Sequence, residues 1–471
     1  MISNEELEIM DKEQKTFYLL GVGGIGMSAI ARFLLHQGHN VLGYDRVESP
    51  LTIQLQQEGI QITYEDNAEH LPKNIDMCIY TPAIPNSNNL FQTISRRGIP
   101  MEKRSEALGH ITKDKKVLAV AGSHGKTTTT GLISHILSNS PLGCSAFLGG
   151  ILNNTNSNFL FHASSPYVVV EADEYDRSFL RLRPFISVIT SIDEDHMDIY
   201  HTYDNLHNAF EAFARLTNKE GQVIVKTSCP HLIANLHDTD NLYTYSLLDT
   251  NAESYASNIR VYKGSLFFDY ISTEDTFFDI QLNMLGNHNI ENTVAAITVC
   301  NYVMKLENLP KTQRETILRN GLISFKGIKR RLEYIYNDKD FIFLDDYAHH
   351  PNEILSSLKA IRQAYPDKHL TTIFQPHLYS RTRDLYSAFA QSLSFSDTVI
   401  LLPIYPAREE PIHGVSSHLI LHKIPIMDKY LVSKEQLLPL LSALKPELLV
   451  TMGAGDIDKL IPTIKETLVN N

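Results

Sequence analysis

Cysteine is scarce in this chain. Cys78, Cys144, Cys229 and Cys300 stand far apart in 471 residues, and no C-x-x-C pair occurs. That spacing argues against a disulfide framework or a thiolate zinc site and fits a reducing cytoplasm. Long apolar runs are missing too. The longest mostly apolar stretch, 293–304, is broken by Asn301 and is too short to cross a bilayer, so no membrane partner is expected. Residues 1–16 are polar and acidic, without a basic stretch leading into an apolar one, so no signal peptide is expected. Basic residues do not dominate either. The formal net charge of -12 argues against a general nucleic-acid binder. It leaves room for anionic ligands, because local nests of backbone N–H groups bind phosphate on acidic proteins.

The composition is otherwise that of a folded chain. Apolar residues make up 43% and charged residues 20%, with both signs interspersed, which suits buried cores rather than disorder. At roughly 150 residues per domain, about three domains are expected. Three segments each open with an apolar strand-like run that feeds a loop and then a helical pattern. In the first, a strand at 17–21 leads into 22–26 and a helix to about Gln37, and a second strand at 40–44 ends at Asp45. Residues 77–80 read as a further strand. In the second, 117–121 leads into Gly122 and a helix to about Leu137, with strands at 167–171 and 186–190. Residues 221–278 are rich in Tyr, Thr and Asn and read as smaller antiparallel strands. In the third, 341–344 leads into Asp345, with strands near 370–374, 398–402 and 448–452. The expected fold is therefore α/β in three domains. An extension (1–16) precedes a Rossmann-like domain (17–109). A central P-loop ATPase-like domain (110–325) with a parallel sheet plus a small antiparallel sheet follows. A Rossmann-like C-terminal domain (326–471) completes the chain.

Gly21, Gly23 and Gly26 form a G-x-G-x-x-G loop between a strand and a helix. Glycines let the backbone approach a diphosphate, and the helix N-terminus favours its charge. Asp45 stands where an acidic side chain commonly meets a ribose hydroxyl. A tight packing turn is the plainer alternative. Gly122, Ser123, His124, Gly125, Lys126, Thr127 and Thr128 form the strongest local signal. The glycines let N–H groups wrap phosphates, Lys126 supplies a point charge, and the Thr127 hydroxyl suits magnesium. The standard loop has a further glycine where Val120 stands, so this is a shortened variant, and a structural turn is the alternative. Glu171 ends an apolar strand, a place from which a carboxylate can hold magnesium, although a solvated acidic loop reads the same way. His196 suits either a metal or an ordinary structural role. Asn289 and Asn292 suit a purine edge, but helix capping fits these residues better. Lys329, Arg330, Arg331, Asp345, Tyr347, His349 and Arg381 place basic and polar groups at the ends of third-domain strands. Ligands of open α/β sheets bind there, and arginines suit phosphate or carboxylate; surface solvation would explain each singly.

Taken together, GVGGIGMSAIA, GSHGKTTTT, EADEYDRSFL, DEDHMDIY, GNHNIEN, FKGIKRR, DDYAHHPNEI, FQPHLYSRT and IYPAREEPIHGVSS resemble the Mur ligases of peptidoglycan synthesis, over nearly the whole chain after residue 16. The resemblance implies a cytoplasmic ATP-dependent carboxylate–amine ligase, a monomer or homodimer. Its implied substrates are UDP-N-acetylmuramate, ATP and L-alanine, with Mg2+, or Mn2+ in its place, as cofactor. Gly21, Gly23, Gly24, Ile25, Gly26, Asp45 and Arg104 would bind the sugar nucleotide. Gly122 to Thr128, Asn289, Asn292, Arg330 and Asp345 would bind ATP. Thr127, Glu171 and His196 would face the metal. Tyr347, His349 and Arg381 would face the amino acid and the muramoyl carboxylate. Lys126, His196, Arg330 and His349 would be catalytic, with His349 as the base.

The sequence departs from the family pattern in places. Ser123 stands where Thr is usual, Tyr175 where Ser is usual, and Tyr64-Glu65 where many members have Gly-His. Leu378 stands where Arg is common, so either a substrate clamp is missing or Arg383 replaces it. No lysine lies between His196 and Lys219, so the carbamylated lysine of other branches is not expected. Within the family, a ligase adding a preformed tripeptide is the alternative. Outside it, a nicotinamide dehydrogenase would explain the first loop but not the second. A GTP switch protein would need an Asn-Lys-x-Asp motif, which is absent.

Overall fold

Residues 17–20 are apolar without alternation, and the strand they build is buried on both faces, as an interior parallel strand requires. The computed structural model describes residues 14–193, 197–262, 265–407 and 409–469. Its first sheet has β1 (Thr16–Leu20), β2 (Asn40–Tyr44), β3 (Gln61–Thr63), β4 (Met77–Tyr80) and β5 (Met101–Lys103) in the order β3-β2-β1-β4-β5. All its pairs are parallel. The order reverses between β1 and β4, which is where open α/β sheets leave a crevice. Phe17 and Leu19 pack with Met27, Ile30 and Leu34 of the helix Ile25–His36, while Tyr18 and Leu20 face Cys78, Leu90 and Ile94 in a second cluster.

The central sheet has ten strands. They are β6 (Lys116–Ala121), β7 (Ser145–Leu152), β8 (Ser157–Leu160), β9 (Tyr167–Glu171), β10 (Pro184–Ile189), β11 (Gln222–Lys226), β12 (Leu242–Ser246), β13 (Ser254–Tyr262), β14 (Ser265–Ser272) and β15 (Thr276–Leu282). Their order is β15-β14-β13-β12-β11-β10-β6-β9-β7-β8. The antiparallel set expected over 221–278 differs at its start. β11 and β12 extend the central sheet in parallel, and β13 pairs in parallel with β12. The reason is local: β11 carries the buried run Val223, Ile224, Val225, and the helix Pro230–Asn235 supplies the crossover that parallel neighbours need.

The third sheet has β16 (Glu333–Asn337), β17 (Ile342–Asp346), β18 (Leu370–Phe374), β19 (Thr398–Leu401), β20 (Asp428–Leu431) and β21 (Leu448–Met452), ordered β16-β17-β21-β18-β19-β20. Only β16 runs antiparallel. Packing divides the chain into two compact units. One comprises Met1–Ser257, Asp269–Ile280 and Glu291–Phe325; the other comprises Asn258–Phe268, Gln281–Ile290 and Lys326–Asn471.

Candidate active site

The loop after β1 is shaped by hydrogen bonds to the end of β2. Gly21 and Val22 donate their amides to the Tyr44 carbonyl at 2.8 and 3.1 Å, and Gly23 donates to the Asp45 carboxylate at 2.8 Å. A Cβ on Gly23 would lie 2.6 Å from the Thr52 methyl and 2.8 Å from that carboxylate, so only glycine fits. Asp45 thus holds the turn itself. Arg104 opens the helix Arg104–Ile111, lies beside Gly26 and pairs with Asp173 at 3.2 Å. Gly24 and Ile25 lead into the helix Ile25–His36. Tyr64, in place of the usual glycine, donates its hydroxyl to Thr52 at 3.0 Å.

The second loop joins β6 to the helix Lys126–Ser138. Gly125 is left-handed, with φ 83°, and no side chain caps the helix, so its first-turn amides have no intrahelical acceptor. The end of β10 braces this loop. Ser123 and His124 donate their amides to the Ser191 carbonyl (3.1 Å) and hydroxyl (3.0 Å), and Thr190 donates its hydroxyl to the Ala121 and His124 carbonyls. Those two amides are therefore spent on the loop's shape. Asn292 rests against Gly125, where an added Cβ would meet its Oδ1 at 2.5 Å. Asn289 donates its side-chain amide to the Leu285 carbonyl at 2.7 Å, in the loop just ahead of its own helix, Asn287–Leu306.

Lys126 turns back over the loop. Its Nζ donates to the Gly122 carbonyl at 2.5 Å and to Glu174 Oε1 at 2.7 Å. Thr127, the next residue, donates its hydroxyl to Glu171 Oε1 at 3.1 Å. Glu171 Oε2 accepts the Gly149 amide at 3.0 Å, in a cradle that a Cβ on Gly149 would fill. A hydroxyl and a carboxylate oxygen at this spacing are the hard oxygen donors that magnesium takes beside phosphates and water. His196, the third metal candidate, lies outside the described residues.

In the other unit, Arg330 is fixed from several sides. Its Nε donates to Asp345 Oδ2 at 3.0 Å and an Nη to the Gly453 carbonyl at 2.5 Å, while Thr451 donates to Asp345 Oδ1 at 2.7 Å. Burial raises the Asp345 carboxyl above its ordinary range, and Arg330 opposes that shift. The guanidinium carbons of Arg330 and Arg331 lie 5.2 and 5.6 Å from the Tyr347 ring centre, within cation–π reach. His349 Nδ1 lies 3.0 Å from the Tyr347 carbonyl and 3.5 Å from Glu353. Burial lowers the His349 imidazole pKa against the opposing pull of Glu353 and so favours the neutral ring; with its Nδ1–H on the Tyr347 carbonyl, Nε2 is the lone-pair nitrogen. His377 stands 6.1 Å from the His349 ring, and Arg381 Nη1 lies 3.5 Å from His377 Nδ1. Burial, with Arg381 beside it, pushes His377 down to about 4. Arg383 pairs with its neighbour Asp384 at 2.7 Å and is exposed, so it does not join Arg381.

Sequence reasoning missed Glu174, Thr190, Ser191, Glu353 and His377. Glu174 sits in the same acidic run as Glu171, and His377 in the same stretch as Arg381, so motif proximity was the available signal. The bracing by Thr190 and Ser191 left no trace in local pattern.

Three family models match in succession. The Mur ligase family catalytic domain covers residues 16–116, the Mur ligase middle domain 120–300, and the Mur ligase glutamate ligase domain 330–455. The chain belongs to the Mur ligase family. This Mur ligase is 44% identical over 460 residues to a UDP-N-acetylmuramate–L-alanine ligase of Porphyromonas gingivalis, covering 96% of this chain and 99% of that one. It is 46% identical over 457 residues to the enzyme of the same name from Phocaeicola vulgatus, covering 96% and 97%. Among solved structures it resembles a UDP-N-acetylmuramate–alanine ligase of Thermotoga maritima, with a TM-score of 0.81, 25% identity, and coverage of 97% of this chain and 100% of that one. A murein peptide ligase of Psychrobacter arcticus shares the fold at a TM-score of 0.68 and 22% identity, covering 97% and 99%.

Proposed function

We propose that this Mur ligase joins L-alanine to the lactyl carboxylate of UDP-N-acetylmuramate, releasing ADP and phosphate, in peptidoglycan synthesis. The observation that carries this reading is near-full-length identity of 44% and 46% to ligases of that name. The loop geometry supports the ATP-dependent half of it, because Lys126, Thr127 and Glu171 converge at an uncapped helix N-terminus.

In the first step a lactyl carboxylate oxygen attacks the γ-phosphorus, and the bond to the β-phosphate bridging oxygen breaks. Two anions must meet, so charge must be neutralised as it develops, a task for which Lys126 is the candidate in one unit and Arg330 in the other. Thr127 and Glu171 would hold a magnesium ion, which would screen the phosphates when bound. In the second step the amine of alanine adds to the acyl carbon, phosphate departs, and the nitrogen gives up a proton. A neutral His349, with Nδ1 held at the Tyr347 carbonyl, suits acceptance of that proton at Nε2. Arg381 suits the amino-acid carboxylate. Gly21, Gly23, Gly24, Ile25, Gly26 and Arg104 would carry the sugar nucleotide.

ADP release with UDP-N-acetylmuramate, ATP, magnesium and a panel of amino acids tests the reading. L-Alanine is expected to be turned over well ahead of a preformed tripeptide. Preference for the tripeptide would reassign the substrate, and no ADP release with any acceptor would reject the ligase reading.

A further inference from the structure

We propose that Glu174 is a positioning residue for the phosphate-binding lysine, holding the Lys126 ammonium over the loop and keeping hold of it when a triphosphate binds. The inference rests on the reading above that ATP occupies this loop.

An ammonium has three N–H donors. Lys126 gives one to the Gly122 carbonyl and one to Glu174, at 2.5 and 2.7 Å. The Glu174 side chain is 2% exposed and that of Lys126 17%, so this is a buried pair rather than a surface contact. Pulling Lys126 away would strand a buried carboxylate beside an incoming tetra-anion, which is strongly unfavourable. Glu174 itself is not free to follow. Its carbonyl accepts the Tyr200 hydroxyl at 2.6 Å and the Arg177 amide at 3.0 Å, and Phe179 donates its amide to Asp173 at 2.9 Å. The chain then passes through two left-handed residues, Asp176 and Arg177, with φ of 52° and 55°. Such conformations persist only where the surroundings impose them.

The same turn places Asp173 on Arg104 at 3.2 Å and Asp176 on Lys103 at 3.5 Å. It is therefore a built element that meets cations on two neighbouring elements. The consequence for Lys126 is definite. Glu174 tempers its net charge, which weakens ground-state attraction for ATP, and fixes its heading, so that the remaining donor serves the phosphoryl group in transfer.

Glu174→Gln keeps an acceptor oxygen at the ammonium and removes the charge. Calorimetric titration of the full chain with magnesium and a non-hydrolysable ATP analogue is expected to give a Kd about three- to tenfold lower than the parent's. The kcat for alanine ligation is expected to fall about tenfold or more. Both effects are expected to vanish in a Lys126→Met background, as a double-mutant cycle requires if Glu174 acts through Lys126. Glu174→Asp restores charge without reach, and is expected to return the parent Kd but not the parent kcat. A folded Gln variant with equal or weaker analogue binding, or with undiminished kcat, overturns the proposal. If the Gln variant does not fold, the Asp variant decides: lowered kcat at parent Kd supports the proposal and parent kcat overturns it. A Lys126→Met protein that binds the analogue as tightly as the parent fails a different claim, the placement of ATP, and removes this one with it.

Discussion

Single glycines at turns fill places that their neighbours cannot. Gly125 has φ 83°, and a Cβ there would press on Asn292 at 2.5 Å; Gly38 has φ 86° with nothing within 4 Å. Gly38→Ala is expected to lose about 1–2 kcal/mol of stability from backbone strain alone, with activity kept. Gly125→Ala is expected to lose at least as much and to raise the KM for ATP about tenfold or more, as read by thermal melts and initial rates. Lys126→Ala is expected to abolish ligation while leaving UDP-N-acetylmuramate affinity within about twofold, since that ligand is assigned to the other loop. Equal loss of both in a folded variant would contradict the assignment. Gly125 and Lys126 were legible in the sequence because the motif they belong to is written in consecutive residues. Glu174 was not legible as the partner of Lys126. The pair closes over 48 positions, and an acid in the run 171–176 has no local mark of which cation it meets.

At the scale of elements, apolar runs announced the strands. β18 and β21 have the bounds read from sequence, since five consecutive buried residues between polar turns leave little choice. The placing of β21 between β17 and β18 was not legible, because order within a sheet is a property of distant segments. The same holds for the tie between β8 and the helix Ile25–His36. Buried Asn158 accepts from Arg32 and donates to the Ile25 carbonyl and the Ser28 hydroxyl, while Arg32 also grips Glu58 at 2.7 and 2.8 Å. Asn158→Ala leaves the buried guanidinium and the Ile25 carbonyl each short of a partner. It is expected to lower unfolding free energy by about 1–3 kcal/mol, visible as an earlier urea midpoint. It is also expected to weaken UDP-N-acetylmuramate binding, because the first turn of that helix follows directly on the glycine loop. Unchanged affinity would mean that the loop holds its shape without the tie.

For the molecule as a whole, two buried sets of groups set its response to solution conditions. All four thiols are buried, and desolvation pushes Cys78 and Cys144 up to about 12 and Cys229 to about 11, with Cys300 raised as well. The folded protein is expected to leave Ellman's reagent nearly untouched at pH 8 and to release all four thiols in urea. Early reaction of one thiol would report local opening around it. Asp346, buried with Ser357 at 2.6 Å, is raised by desolvation to about 6 from an ordinary value near 4. The folded chain therefore binds this proton more tightly than the unfolded one. The stabilisation is complete below about pH 4 and is lost as pH rises through about 6. Asp346→Asn cannot ionise, so its stability relative to the parent is expected to improve by roughly 2 kcal/mol between pH 4 and pH 7. A difference flat across that range would show that Asp346 titrates normally.

Because Thr190 and Ser191 already clasp the turn that leads into the helix Lys126–Ser138, a triphosphate seated there as proposed would meet a receptor whose shape is set beforehand. Little chain freedom is left to freeze there. Nucleotide uptake at that turn would accordingly release heat chiefly through charge-assisted contacts, with only a small negative heat-capacity change.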